Sequence, residues 1–125
     1  MFRNREEAGR LLAARLHGRR LHDPVVLAIP RGGVVVGAML AKGLGADLDI
    51  VLARKLRDPW QPELALGALA ESGEVILNPE LADRARELEG YLEKERRYQE
   101  KEIERRRKLF RGVRPAAVLA ARSVI

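Results

Sequence analysis

Three short stretches of this chain carry residue types able to grip an anion: Pro30-Arg31-Gly32-Gly33, Arg54-Lys55 and Arg105-Arg106-Arg107-Lys108. The first follows an unbroken apolar run, Val25-Val26-Leu27-Ala28-Ile29. It precedes Val34 through Leu44, which read as a helix ending near Gly45. In such a turn two glycines let the backbone come close to a ligand. The N–H groups of Gly32, Gly33 and Val34 would face one spot, where the helix dipole favours negative charge. Arg31 adds a permanent cation able to form paired bonds to phosphate oxygens. The stretch Gly-Gly-Val-Val-Val-Gly is neither the dinucleotide fingerprint nor the triphosphate-binding loop, since no Lys-Ser or Lys-Thr follows. A tight turn whose glycines serve packing alone fits the local pattern equally well.

The second stretch bears on that choice. Leu48-Asp49-Ile50-Val51-Leu52-Ala53 reads as another apolar strand, and a strand–helix–strand unit pairs its strands in parallel. Arg54-Lys55 would then close the second strand at the sheet's carboxyl edge, beside the first turn, where open α/β sheets bind ligands. Two cations next to a nest of amides suit a diphosphate. The competing reading is that both side chains point to solvent. The third stretch lies in a long charged segment with Glu93 and Arg97, Glu102 and Arg106, and Glu104 and Lys108 each four apart, acid first. That spacing supports a solvated helix. No stacking aromatics or groove-reading pattern accompany it.

Other elements must hold these residues in place. Asn4 and Glu7 have capping-box spacing, which predicts a helix over about residues 5–17 with Ala8, Leu11, Leu12 and Leu16 on its buried face and Gly18 at its end. Asp58-Pro59-Trp60-Gln61-Pro62 is a loop. Residues 64–71 and 74–77 flank Ser72-Gly73 as a hairpin. Asn78-Pro79 starts a helix that runs to about Phe110, with a break at Gly90 and a stop at Gly112 ahead of Pro115. The fold class is α/β: a parallel-sheet core of residues 1–56 and 113–125, and a small α+β insertion of residues 57–112.

Composition narrows the classes. Hydrophobic residues make up 46% and charged residues 34%, which fits a folded domain rather than a disordered segment. There is no cysteine, so disulfides and thiolate metal sites are excluded and a cytoplasmic setting is natural. The net charge of +6 admits polyanion binding, but an arginine- and glutamate-rich surface built for heat explains it as well. His17 and His22 lack metal-ligand spacing. Glu63 and Glu71 are candidates for a general base by location only, and no catalytic residue can be assigned. Ser123-Val124-Ile125 has the character of a buried strand just starting, so the natural protein is expected to continue.

Taken together, Pro30-Arg31-Gly32-Gly33, Arg54-Lys55 and the distinctive Pro62-Glu63-Leu64-Ala65-Leu66-Gly67-Ala68-Leu69-Ala70-Glu71 resemble the predicted bacterial members of the type I phosphoribosyltransferase family over nearly the whole chain. The resemblance implies that the first turn (Arg31, Gly32, Gly33, Val34) with Arg54 and Lys55 holds the pyrophosphate of phosphoribosyl pyrophosphate. In that family the turn often contains a non-proline cis peptide, here Pro30–Arg31. The resemblance further implies Mg²⁺ bound through the substrate phosphates, transfer of the phosphoribosyl group to a nitrogen acceptor such as a nucleobase, a hood over the acceptor, and commonly a homodimer.

One departure stands out. The family's later strand, with two acidic residues and a glycine- and threonine-containing loop for the ribose 5-phosphate, has no counterpart here. Turnover by this chain alone is therefore not expected. Two other readings remain: a sensor of phosphoribosyl pyrophosphate or a nucleotide on the same fold, and an unrelated α/β nucleotide-binding domain.

Overall fold

The computed structural model describes all 125 residues and is mixed α/β, with one parallel and one antiparallel sheet. The chain forms two compact units, Met1–Val51 with Pro115–Ile125, and Leu52–Arg114. No helix is long and apolar enough to cross a membrane.

The first unit opens with α1 (Arg5–Leu16), capped by the Asn4 carboxamide, whose oxygen accepts the Glu7 N–H at 2.9 Å. Glu7 reaches one residue further back than a capping box requires, and its carboxylate accepts the backbone N–H and Nε of Arg3. The buried face of α1 differs from the one its leucines predict. Ala8, Gly9 and Ala13 are buried, whereas Leu11 and Leu12 are 50% and 42% exposed. The cause is the close approach of α2 (Gly32–Leu44). A Cβ on Gly9 would stand 2.5 Å from the Val36 carbonyl oxygen, and one on Gly43 2.5 Å from the Ala13 Cβ. Only small residues fit such a crossing, so the leucines are turned away from it.

Strands β1 (Val25–Ala28) and β2 (Asp47–Ile50) pair in parallel from Val25↔Asp47 to Ala28↔Ile50. On the other side of β1, Ser123 to Ile125 add a short parallel pairing: the Val25 N–H donates to the Ser123 carbonyl at 2.9 Å and the Leu27 N–H to that of Ile125 at 2.8 Å. β1 is thus flanked on both edges, which accounts for its unbroken apolar sequence. Ala13, Val26, Leu40 and Ala41 form the core, with Leu16, Leu44, Leu48 and Ile125 against it. Asp49 is buried within the run read as apolar; its carboxylate accepts the N–H groups of Ile50 and Ala117, both at 2.8 Å, and so fixes the returning segment.

The second strand ends earlier than its sequence predicts. The Val51 N–H still donates to the Ala28 carbonyl at 3.1 Å, but the Leu52 N–H turns to the Glu71 carboxylate at 3.0 Å. Ala53 onward then forms β3 (Ala53–Arg57) of the second unit, in an antiparallel sheet ordered β3, β4 (Ala65–Ala70), β5 (Val75–Leu77). The β4–β5 hairpin turns where expected, with Gly73 at φ 91°. Gly67 is needed because a Cβ there would lie 2.5 Å from the Ile76 carbonyl oxygen.

After a 3-10 turn at Pro79–Leu81 come α3 (Ala82–Glu87) and α4 (Glu89–Val113). The break falls at Leu88, whose ψ of 19° leaves the helical region, rather than at Gly90. Gly112 does not stop α4 either. The helix runs on to Val113, and Arg114 becomes extended because it precedes Pro115. Leu56, Leu66, Leu69, Ala85 and Ile103 are buried in this unit.

The charged face of α4 is laced as the spacing predicts. Arg97 meets Glu93 at 3.0 Å, Arg106 meets Glu102 at 3.9 Å and Lys108 meets Glu104 at 3.9 Å. Hydrogen bonds from Arg96 and Arg97 hold the Glu93 carboxyl at about 2, against an ordinary 4.5. The folded value is depressed, so the ionised form supports α4 above about pH 4.5, and that support is lost as pH falls toward 2. Helix content measured by circular dichroism should decline over that window, and Glu93→Gln should flatten that part of the curve. An unaltered curve in the variant would refute the assignment.

Candidate functional site

The turn between β1 and α2 lies in the first unit. β1 delivers Ile29 to the surface, the Pro30–Arg31 peptide is cis, and α2 begins at Gly32. Arg31 precedes α2 with φ −97° and ψ −44°, and no side chain caps the helix. Its backbone is already helical, so its carbonyl accepts the Val34 N–H at 3.2 Å. That bond changes the expected amide nest: Val34 is engaged, and the N–H groups of Gly32 and Gly33 are left without an acceptor. These are among the orphan donors of any helix start.

Packing does not explain both glycines. Neither Gly32 nor Gly33 has a positive φ. A Cβ on Gly33 would meet only the Ile29 Cβ, at 4.0 Å, which is ordinary contact. What its absence does is leave the amide edge uncovered. At Gly32 a Cβ would stand 2.8 Å from the Arg5 Nε, so a guanidinium from α1 lies against the turn. No motif signals this contact, because α1 and the turn are apart in the chain and only the tight Gly9 and Gly43 crossing brings them together. The Arg31 side chain is exposed and forms no hydrogen bond or ion pair.

Arg54 and Lys55 stand elsewhere than the sequence predicts. They lie within β3 of the second unit, paired with Leu69 and Ala68, and do not close β2. They also point to opposite faces, as neighbours in a strand must. The Arg54 Nε donates to the Gln99 Oε1 at 2.8 Å, while Lys55 is exposed and forms no ion pair. Gln99, fully buried, in turn donates to the Glu95 Oε1 at 3.0 Å, which also accepts the Arg57 Nε at 3.1 Å. Burial pushes the Glu95 carboxyl up, but these bonds outweigh it and leave it below its ordinary value. Arg54 thus belongs to a bonded network with α4. Replacing Gln99 by Leu would strand the Arg54 Nε and leave Arg57 as the remaining partner of the Glu95 carboxylate. A loss of about 1–2 kcal/mol is expected in urea unfolding.

Of the remaining candidate carboxylates and histidines, only the Glu71 side chain has a partner in the protein, and His22 is held through its backbone. Glu71 accepts the Leu52 N–H, and the His22 N–H donates to the Ser123 Oγ at 2.9 Å. Arg105 and Arg107 pair with Glu102 and Glu104, as do Arg106 and Lys108, so each member of that basic cluster has an acidic neighbour.

The chain is 39% identical over all 125 residues to a protein of Mycobacterium tuberculosis, from strains CDC 1551 and H37Rv, whose name is "Putative phosphoribosyl transferase". The similarity to that protein covers the whole of this chain. The chain spans 28% of the length of those curated relatives. Among solved structures, the crystal structure of TT1426 from Thermus thermophilus matches with a TM-score of 0.76 and 46% identity, over 98% of this chain and 58% of that one. No family model matches the chain.

Proposed function

We propose that this chain is the pyrophosphate-holding part of a type I phosphoribosyltransferase, with Arg31 and the Gly32 and Gly33 amides as the grip on the leaving group. The observation that carries this reading is the turn itself: an unpaired arginine beside two uncovered amides at a helix start, in a chain homologous throughout to phosphoribosyl transferases. The reaction would displace pyrophosphate from the anomeric carbon of phosphoribosyl pyrophosphate by a nitrogen nucleophile, with a nucleobase the favoured acceptor class. Negative charge develops on the departing pyrophosphate, and preorganised donors stabilise it without reorganisation. Mg²⁺ would arrive with the phosphates; residues 29–34 offer it no carboxylate, so the turn binds the anion and leaves the ion to the substrate.

Of the Arg54-Lys55 pair, Arg54 is committed to Gln99, whereas the Lys55 side chain forms no ion pair. The parallel-sheet unit would form the core and residues 57–112 the hood. The chain contains no threonine and no acidic pair followed by a glycine-rich loop, so binding rather than turnover is expected of it by itself.

Calorimetric titration with pyrophosphate and with phosphoribosyl pyrophosphate, each with Mg²⁺, tests the reading. One saturable site that weakens with added salt is the expected result; heats indistinguishable from dilution would reject it. To separate transfer from sensing, a chain extended to the length of the relatives would be assayed for pyrophosphate release with a panel of bases. Tight binding without release on any base would favour a sensor.

A further inference from the structure

We infer that Arg5, at the start of α1, is a second cation of the anion site at Arg31, Gly32 and Gly33. This rests on the pyrophosphate reading of that turn and adds a residue that nothing in the motif contains. The position of a Cβ on Gly32 would lie 2.8 Å from the Arg5 Nε, 3.2 Å from its Nη2 and 3.3 Å from its Cζ, so the guanidinium lies against the first residue of α2. The close α1–α2 crossing at Gly9 and Gly43 holds the two helices in that relation.

The protein's own electrostatics give Arg5 no reason to be there. It occupies the first turn of α1, a position that favours acids, and it rests against the first turn of α2, which favours anions for the same reason. Arg31, the residue immediately before Gly32, carries no counter-charge. The two acids next to Arg5 are used elsewhere: Glu6 lies 3.8 Å from Arg10, and Glu7 pairs with Arg3 at 2.8 Å. The Arg5 guanidinium forms no hydrogen bond or ion pair. It thus lies against a helix start that has two orphan amides and follows directly on a second arginine, and no acidic side chain of the protein pairs with either cation. A polyanionic group placed there would reverse the sign of every one of these interactions. Pyrophosphate has enough oxygens to meet both arginines, and the planar fork of each is suited to paired bonds with phosphate.

The test is calorimetric titration of pyrophosphate with Mg²⁺ into the wild-type chain and into Arg5→Ala, Arg5→Lys, Gly32→Ala and Arg31→Ala. Arg5→Ala should weaken binding by roughly tenfold, in line with loss of a charge-assisted contact. Arg5→Lys should recover part of that loss, because the charge remains and the fork does not. Gly32→Ala should weaken binding too, by crowding the guanidinium aside while every charge is kept. Thermal unfolding of Arg5→Ala should match the wild type, since the side chain has no partner in the protein. Wild-type affinity in Arg5→Ala, with weakening in Arg31→Ala, overturns the role of Arg5 and leaves the turn reading standing. No binding by the wild-type chain overturns both. A drop in affinity that tracks a drop in thermal stability, without recovery in Arg5→Lys, would assign Arg5 to the fold instead.

Discussion

Replacing Arg31 by Ala should weaken pyrophosphate binding by about 1.5–3 kcal/mol, roughly 10- to 150-fold in Kd. The Arg31 side chain is exposed, has no partner within the protein and precedes a helix whose first two amides are also unpartnered. A guanidinium so placed contributes little to folding, so the loss should appear in ligand affinity and not in the unfolding curve. Arg31→Lys should fall between the two, since lysine keeps the charge but cannot make the paired bonds of the fork. The wild-type advantage should shrink as salt is raised, because the site is open to solvent. Unchanged affinity in Arg31→Ala at low salt would remove Arg31 from the site, and a parallel fall in melting temperature would make it a folding residue. Competition by sulfate sharpens the measurement: a site for two linked phosphates should prefer pyrophosphate, whereas a bare helix start should not discriminate.

The strand–turn–helix around Arg31 is legible in the sequence because its signals are local. An apolar run of strand length, a glycine pair and a helix closed by Gly45 each have a meaning at short range, and Gly45 at φ 62° ends α2 as expected. The same holds for the Ser72-Gly73 hairpin, the Asn4 and Asn78 caps and the acid-first pairs of α4. What is not legible depends on groups far apart in sequence. The end of β2 is decided at Leu52, whose N–H goes to a carboxylate nineteen positions later, at Glu71. The run from residue 48 to 53, apolar except for Asp49, cannot show that exchange, and so the sequence pattern puts Arg54 and Lys55 one element too early.

The buried face of α1 escapes the pattern for a related reason. Leucine spacing marks an apolar stripe, but the helix packs through Gly9 and Ala13 because α2 comes too close for anything larger. The readable signal is a stripe of small residues. The place of Arg5 beside Gly32 follows from that same crossing and is hidden with it.

Gly37→Val should be the most destabilising single change near the site, at about 3 kcal/mol, and should also impair anion binding. Gly37 is buried in α2, and a Cβ there would stand 2.8 Å from the Ala28 Cβ, 3.2 Å from the Leu48 Cδ1 and 3.4 Å from the Val26 Cγ1. The Ala28 Cβ is fixed to the β1 backbone and cannot rotate away, so relief requires α2 to move off the sheet. A branched side chain adds a restricted rotamer in the helix to that clash. Because α2 carries the Gly32 and Gly33 amides at its first turn while β1 leads into Arg31, lifting one from the other separates the two halves of the grip. Gly90→Ala supplies the contrast: nothing lies within 4 Å of a Cβ there, so alanine should raise stability by about 0.5–1 kcal/mol through helix propensity alone. Urea unfolding of both variants, with pyrophosphate titration of Gly37→Val under conditions where it is still folded, separates loss of fold from loss of geometry. Full affinity in folded Gly37→Val would mean that the amides and Arg31 do not act as one site.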